Sequence, residues 1–253
     1  YINYLNKKGL SNTSINIYLK TIRTMFNYYK EIGQIRQVPK IKQKKVNKKE
    51  NTYITESEIE GICSLEDLDD FYKRVFLFYL ETGMRLREPM ISKLEGKWID
   101  IPTESKSHKS RSIEISSFLR SIFMELNDWL KNGYGSRLKD PGEHLSKIFK
   151  KSLRSIGANE DKHFHSLRHT YAVRSLIQEV PINELKLNMG HASVVTTEVY
   201  SLMNLKRISQ DFPNLLKKVN KSKNRLMRDT DLRDTKGVGG SEIPLLLHLS
   251  GSA

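Results

Sequence analysis

The chain has 253 residues and a strongly basic composition, with 43 Lys and Arg against 29 Asp and Glu and a formal net charge of +14. This charge favours a polyanionic partner, and nucleic acid is the first candidate. The longest apolar runs, residues 75–80 and 243–247, are too short to cross a bilayer, and the single Cys63 excludes an internal disulfide framework. We therefore expect a soluble protein of a reducing, intracellular compartment, without a membrane as partner.

The first part of the chain predicts a helix followed by a basic linker. Residues 14–32 place apolar side chains at spacings of three and four, with Gly33 as a stop. The capping candidates are Ser11, Asn12, Thr13 and Ser14. Residues 36–49 contain seven basic residues, no acidic ones and Pro39, so we predict an exposed linker. The basic residues could bind the phosphate backbone of DNA, or the segment could be a solvated hinge. The candidate DNA-binding residues in it are Lys40, Lys42, Lys44 and Lys45.

A second domain is predicted to begin at Thr55, which forms a capping-box pattern with Glu58. A strongly apolar helix over residues 69–81 follows. Residues 97–101 and 111–115 alternate apolar and polar side chains, which indicates two strands joined by a polar loop. Helical patterns then cover residues 117–131, 143–156, 165–178, 182–189, 194–200 and 205–219. The predicted fold class is mainly α with a small antiparallel β-hairpin or sheet.

The polar residues of this second domain have ordinary explanations when each is taken alone. Arg85 could cap a helix or pair with Glu88, and Tyr200 could be a buried aromatic residue on a helix. His165 and His169 lie four residues apart on a predicted helix, but no third ligand follows at a helpful spacing, so we predict no metal site. Their order along the chain is more informative. The ordered series consists of Thr82-Gly83-Met84-Arg85, Lys106, His165-Ser166-Leu167-Arg168, Gly190-His191 and Tyr200.

This series resembles the tyrosine recombinases (phage-type integrases and Xer-like proteins). Their catalytic domains carry an Arg after Thr-Gly-apolar, a Lys on a β-hairpin, His-x-x-Arg, Gly-His, and a nucleophilic Tyr nine residues beyond that His. Every one of these positions is filled, over roughly residues 52–215. The resemblance implies an enzyme that cleaves and rejoins DNA strands through a 3′-phosphotyrosyl bond, without ATP, a metal or any other cofactor.

The resemblance also implies roles for these residues. Arg85 and Arg168 would bind phosphate oxygens through their planar forks, and His191 would donate a third hydrogen bond. Tyr200, with an ordinary pKa of about 10, needs a base as it attacks, and His165 is the candidate.

Lys106 would protonate the leaving 5′ oxygen, and Glu88 would help to hold the active site together. Lys109 stands in the same loop. We assign the acid to Lys106 because residues 106–111 are similar to the family's Lys-Gly-x-Lys-x-Arg, whose first Lys is catalytic. The segment between Glu88 and the hairpin is shorter than usual, and Pro89 replaces an apolar residue, although a helix tolerates proline in its first turn.

The implied domain organisation has four parts. Residues 1–45 form part of a helical, SAM-like core-binding domain that clamps DNA, residues 46–54 a linker, residues 55–219 the catalytic domain, and residues 220–253 a basic, flexible tail. The implied partner is double-stranded DNA, bound by a homo-tetramer that associates weakly or not at all when free, with accessory proteins as further partners. The location would be the cytoplasm, at the nucleoid.

Two alternative functions and one structural hypothesis stay open at this point. A type IB topoisomerase-like or telomere-resolving strand transferase uses a similar catalytic set. A relative that has lost activity would bind DNA only. The segment after Leu205 is a further hypothesis, because family members often pack this part of the chain on a neighbouring subunit.

Overall fold

The structure is a computed structural model that describes residues 1–46, 52–103, 110–190, 205–219 and 221. The chain divides into two compact units, residues 1–50 and 51–253. The described residues are mainly helical, with one small antiparallel sheet in the second unit. The predicted fold class is therefore confirmed.

The first unit is built on two helices, α1 (Ile2–Lys7) and α2 (Asn12–Glu31). Of the four capping candidates, Ser11 is the cap, and its hydroxyl accepts a hydrogen bond of 3.2 Å from the Ser14 amide. Helix α2 therefore starts two residues earlier than the apolar periodicity indicated. The small core of this unit contains Leu5, Ile15 and Leu19, with Ile2, Leu10 and Ile41 packed against them.

The basic stretch after α2 is hydrogen-bonded to that helix in its described part. It has no helix or strand up to residue 46. The side chain of Asn16 on α2 makes two hydrogen bonds with the backbone of Lys44. The side-chain amide of Asn16 donates to the Lys44 carbonyl, and its oxygen accepts from the Lys44 amide, each at 2.8 Å. Asn12 donates to the Lys45 carbonyl at 3.0 Å, and Arg23 donates to the Ile41 carbonyl. Most of residues 36–46 are exposed and lie outside helices and strands, as predicted, and side chains of α2 also hydrogen-bond to the backbone of this segment.

The second unit begins with the predicted capping box. Thr55 accepts a hydrogen bond from the Glu58 amide at 3.3 Å, and the Glu58 carboxylate accepts one from the Thr55 amide at 2.8 Å, which starts α3 (Glu56–Cys63). The apolar helix α4 (Asp70–Thr82) ends at Gly83. The short α5 (Glu88–Ile91) carries Pro89 in its first turn, where the missing N–H group costs no helical hydrogen bond.

The sheet has three strands where the sequence indicated two. Strands β1 (Lys93–Glu95), β2 (Trp98–Ile101) and β3 (Arg111–Glu114) lie in that order, each antiparallel to its neighbour. The predicted strands correspond to β2 and β3, with Ile101 opposite Arg111. The sequence analysis missed β1, because three residues are too few to establish an alternating pattern.

The remaining helices agree with the predicted segments to within about two residues, except at the end of the described chain. They are α6 (Ser117–Lys131), a 3-10 turn (Tyr134–Arg137), α7 (Pro141–Ser155), α8 (His165–Ile177), α9 (Ile182–Met189) and α10 (Leu205–Asp211). The single helix predicted over residues 205–219 is interrupted at Phe212, and a second helical segment covers 213–219. Pro213 explains the break, because it has no N–H group to continue α10. The helix predicted over 194–200 lies outside the described residues.

Helix α8 connects the two cores of the second unit. Its Leu167 belongs to the larger core, which is rich in aromatic side chains of α4, α6 and α7. Its Ala172 and Val173 belong to the smaller core, which also contains residues of α9 and α10. The side chains of the larger core that are fully buried include Phe78, Tyr79, Phe123 and Phe149. A helix packed on both sides in this way is a rigid support for polar groups at its start.

The segment after Leu205 packs on its own chain as far as the structure describes it. Ile208, Phe212 and Leu215 are buried in the smaller core, and the Tyr53 hydroxyl donates a 2.5 Å hydrogen bond to the carboxylate of Asp211. The hypothesis that this segment packs on a neighbouring subunit was therefore wrong for residues 208–215. The tail beyond residue 221 lies outside the described residues. Within the described ranges, no helix is long and apolar enough to cross a membrane.

Candidate active site

Arg85 lies in the short loop between α4 and α5. Gly83, with φ of +60°, ends α4 in the left-handed conformation, and the Tyr79 hydroxyl donates a 2.6 Å hydrogen bond to the Leu86 carbonyl. These two features fix the loop at both ends. The Arg85 side chain is 22% exposed and donates to Glu88 at 2.7 Å and to the Gly190 carbonyl at 3.1 Å. Because a guanidinium carries five N–H groups, these two bonds leave donors that can face a phosphate.

Glu88 lies at the start of α5 and is nearly buried. Its carboxylate accepts hydrogen bonds from the backbone amide and the guanidinium of Arg85, and two more from Arg111. Burial by itself raises the pKa of Glu88, but the hydrogen bonds and charge of Arg111, together with the bonds from Arg85, outweigh it and hold the pKa below its ordinary value. Glu88 therefore binds both arginines in its ionised form, and its supporting role in the active site stays a prediction.

Arg168 lies one turn into α8 and is 2% exposed. Its guanidinium donates to the Gly83 carbonyl at 2.6 Å and to the Met189 carbonyl. These are the carbonyls at the ends of α4 and α9, where the last backbone acceptors of a helix have no partner within the helix. The arginine thus satisfies helix ends and connects three helices at one point.

His165 is the first residue of α8 and is exposed. Its ring lies edge-on to the ring of His169 on the next turn, with centroids 4.8 Å apart, and 6.4 Å from the ring of His163. The structure therefore places three imidazoles in a row beside the start of α8. In the part of the chain that the structure describes, no cluster of His, Cys, Asp and Glu side chains could hold a metal ion.

The other predicted catalytic residues, Lys106, His191 and Tyr200, lie outside the described residues, as does Lys109. The structure does describe their neighbours in the chain. Arg111 begins the strand that follows the Lys106 loop, and Gly190 directly precedes His191.

The four candidate DNA-binding lysines lie in the first unit, and three of them are exposed. Lys44 differs, since it is half-buried and its amine donates a 2.6 Å hydrogen bond to the side chain of Asn6. Lys40, Lys42 and Lys45 present their charge to solvent. Their role in DNA binding stays a prediction.

The sequence analysis missed the role of Arg111. This side chain is 8% exposed, donates to both oxygens of Glu88 at 2.7 and 2.9 Å, and donates to the Asn188 carbonyl at 3.0 Å. The only signal in the sequence was its place as the last basic residue of the 106–111 motif. Nothing in local periodicity indicates a contact with Glu88, which lies 23 residues away.

The described part of the site brings three arginines together at the end of α9, and two of them also bind Glu88. Arg85, Arg111 and Arg168 converge on the end of α9, where the carbonyls of Asn188, Met189 and Gly190 each accept one guanidinium. Fixed guanidinium groups of this kind can stabilise the negative charge that develops on a phosphate oxygen during transfer. The arrangement is therefore suited to phosphoryl-transfer chemistry that needs preorganised cations.

Comparisons with known proteins give an independent view of the chain. A model of the phage integrase family matches residues 52–207. The tyrosine recombinase XerA of Pyrococcus horikoshii is 27% identical over 81% of this chain and 75% of its own length. The tyrosine recombinase XerC of Thermodesulfovibrio yellowstonii is 24% identical over 79% of this chain and 75% of its own length.

Solved structures share the fold. A structure of the Tn1549 transposon integrase in complex with transposon right end DNA superposes with a TM-score of 0.63 at 16% identity, covering 82% of this chain and 80% of that one. The XerH site-specific recombinase bound to a palindromic difH substrate has a TM-score of 0.59 at 21% identity, covering 80% of this chain and 67% of that one. The family predicted from the ordered series is confirmed. Because the family model covers most of the second unit and these relatives align along most of their length, the chain belongs to the phage integrase family of tyrosine recombinases.

Proposed function

We propose that this chain is a site-specific DNA recombinase in which Tyr200 attacks a phosphodiester and forms a 3′-phosphotyrosyl intermediate. The observation that carries the proposal is the convergence of Arg85 and Arg168 on the end of α9, at the carbonyls of Gly190 and Met189. The next residue is His191, and Tyr200 follows nine positions later. The cationic cluster and the nucleophile are thus separated by a short length of chain.

The two arginines have different hydrogen-bond partners, and this difference supports different contributions to catalysis. Arg168 is buried and donates to backbone carbonyls, so its position is set by α4 and α9. Arg85 is partly exposed and shares Glu88 with Arg111. We assign to Arg85 the direct contact with a non-bridging phosphate oxygen, and to Arg168 both a phosphate contact and the alignment of the site. Planar, permanently charged forks suit both tasks better than lysine does.

The proton transfers are assigned by the resemblance to the family. His165, at the exposed start of α8, accepts the proton of the Tyr200 hydroxyl as the phenolate oxygen attacks phosphorus. Lys106 gives a proton to the 5′ oxygen that leaves, and His191 donates a hydrogen bond to the phosphate. The bond formed and the bond broken are both phosphate esters. The step therefore conserves the energy of the phosphodiester, and a 5′-hydroxyl of another strand can reverse it.

Double-stranded DNA is the proposed partner, bound by a homo-tetramer during strand exchange. Support for DNA comes from the net charge of +14 and from family membership. Neighbours in fold include recombinases solved on their DNA, among them the XerH complex. Integration, excision and resolution are the outcomes open to one such chemistry, with accessory proteins as possible further partners.

The test is covalent capture on a duplex that the protein itself selects from a random library. A nick near the scissile phosphate lets the cleaved fragment diffuse away and traps the adduct on a denaturing gel. We expect a shifted band with the wild type, none with Tyr200→Phe, and an unchanged band with the control Tyr134→Phe, whose residue is 54% exposed and outside the site.

Three results would contradict parts of the proposal. A band that persists in Tyr200→Phe would assign the nucleophile elsewhere. The absence of a band on tightly bound DNA would indicate an inactive binding protein. Adduct formation without exchange of strands between two labelled sites would indicate a topoisomerase-like or telomere-resolving enzyme.

A further inference from the structure

Arg111 occupies the centre of the hydrogen-bonded cluster and is not among the residues to which the proposed chemistry assigns a role. Its Nη1 and Nη2 atoms donate to the two oxygens of Glu88 at 2.9 and 2.7 Å, and its Nε donates to the Asn188 carbonyl at 3.0 Å. With 8% exposure, the side chain has little room to adopt another position. Arg111 therefore connects the start of β3 with the start of α5 and the end of α9.

The charges around Glu88 give Arg111 a specific effect on Arg85. One carboxylate faces two guanidinium groups, so the cluster of three side chains carries one net positive charge. Arg111 binds the carboxylate bidentately, whereas the Arg85 guanidinium donates to one of its oxygens. Bidentate pairs are the stronger ones. Arg111 thus neutralises most of the charge of Glu88, and the charge of Arg85 stays available for a phosphate.

The packing around Gly190 ties the same side chain to the segment that precedes His191. A Cβ atom built on Gly190 would lie 2.7 Å from Nη1 of Arg111, and the φ angle of Gly190 is +61°. The left-handed backbone favours glycine there, and a Cβ atom would also displace the guanidinium of Arg111. The position of Arg111 is therefore linked to the backbone of Gly190, the residue before His191 in the sequence.

We propose that Arg111 is a positioning residue for strand cleavage, which neutralises Glu88 so that Arg85 can bind the scissile phosphate and which joins the start of β3 to the end of α9. This inference rests on the proposed recombinase function. Arg111 itself makes no contact with the substrate in this account. Its effect passes through Glu88 and the end of α9.

The test compares Arg111→Met with Arg74→Met in the full chain, on the nicked duplex selected by the wild type. Arg74 is a matched control, because it also binds a glutamate bidentately, Glu125, at 2.6 and 3.0 Å, outside this cluster. We expect Arg111→Met to lower the maximal rate of adduct formation about 100-fold, as a small misplacement of catalytic groups does. The DNA concentration for half-maximal rate should change little, and Arg74→Met should stay close to the wild type in both.

A double variant separates the electrostatic role from simple structural support. In Glu88→Gln with Arg111→Met, the neutral amide no longer draws the charge of Arg85, so adducts should form faster than in Arg111→Met alone. If Arg111 only supports the structure, the double variant should form adducts as slowly as Arg111→Met or more slowly. Arg111→Lys, which keeps the charge but loses the fork, should lie between Arg111→Met and the wild type. Should Arg111→Met fail to fold, Arg111→Lys is compared with Arg74→Met instead, and it should form adducts more slowly.

The outcomes distinguish this inference from the proposed function. If the wild type forms no adduct, or if its adduct persists in Tyr200→Phe, the proposed function fails and the inference fails with it. If the wild type forms the adduct and Arg111→Met does so at the rate of Arg74→Met, only the positioning role of Arg111 is overturned. A double variant no faster than Arg111→Met would overturn the neutralisation of Glu88.

Discussion

The carbonyl oxygen of Gly83 accepts a 2.6 Å hydrogen bond from Nη1 of Arg168, 85 residues further along the chain. The residue that ends α4 therefore helps to hold an arginine of α8. The same glycine lies under the ring of Tyr171, where a Cβ atom would come within 2.4 Å of Cδ1. The end of α4 and the start of the site are thus built around one position that accepts no side chain.

Gly83→Ala should destabilise the protein through both its backbone and its packing. The left-handed conformation costs a residue with a Cβ about 1–2 kcal/mol, and overpacking against Tyr171 adds about 1–3 kcal/mol. Gly157→Ala is the control, since Gly157 has φ of +68° and no atom within 4 Å of its Cβ position. Urea unfolding should show the larger loss for Gly83→Ala. Equal losses would mean that the contact with Tyr171 relaxes freely.

Arg168→Met should reduce stability as well as activity. The substitution leaves the carbonyls of Gly83 and Met189 without this donor, and each buried acceptor left unsatisfied costs about 1–3 kcal/mol. Arg154→Met serves as the control, because Arg154 is 63% exposed in its pair with Glu160, and surface pairs contribute about 0–1 kcal/mol. Thermal unfolding of both variants measures the difference. A melting temperature for Arg168→Met equal to that of Arg154→Met would argue against a stabilising role for Arg168.

The contribution of Glu88 to stability should depend on pH in the acid range. The pKa of Glu88 in the folded protein lies below its ordinary value of 4.5, so its ionised form stabilises the fold above that pH. This stabilisation is lost as the pH falls below 4.5 and through the lowered pKa. Urea unfolding from pH 7 to pH 3 should therefore show Glu88→Gln less stable than the wild type at neutral pH, with the gap closing in acid. A gap independent of pH would show that the charge of Glu88 is not responsible.

Asn16→Ala should release the basic segment from α2 in the first unit. The substitution removes both hydrogen bonds to the backbone of Lys44, each worth about 1 kcal/mol in a folded protein. Trypsin should then cleave faster after the lysines of residues 40–45. Asn27→Ala, at an exposed position of the same helix, is the control and should leave the rate unchanged. Equal cleavage rates in the two variants would mean that other contacts hold the segment.

Much of the local structure follows from short-range patterns in the sequence. The capping box of Thr55 and Glu58, the apolar helix that stops at Gly83 and the helix beginning at His165 are confirmed. Each depends on residues within a few positions of one another, so spacing and residue type are sufficient to predict it. The family was likewise predicted from ordered motifs, whose spacing survives even though relatives such as the XerA protein are only 27% identical.

The tertiary structure alone decided which distant groups meet. Nothing in local pattern joins Arg111 to Glu88, Arg168 to the carbonyls of Gly83 and Met189, or Asn16 to Lys44. These contacts satisfy helix ends, a buried carboxylate and an irregular segment, and their partners are set by how the helices pack. The sequence by itself determined the residue types able to do phosphoryl transfer and their order. The packing of α4, α8 and α9 decided how the arginines are held, because a buried charge is stable only where the fold supplies acceptors.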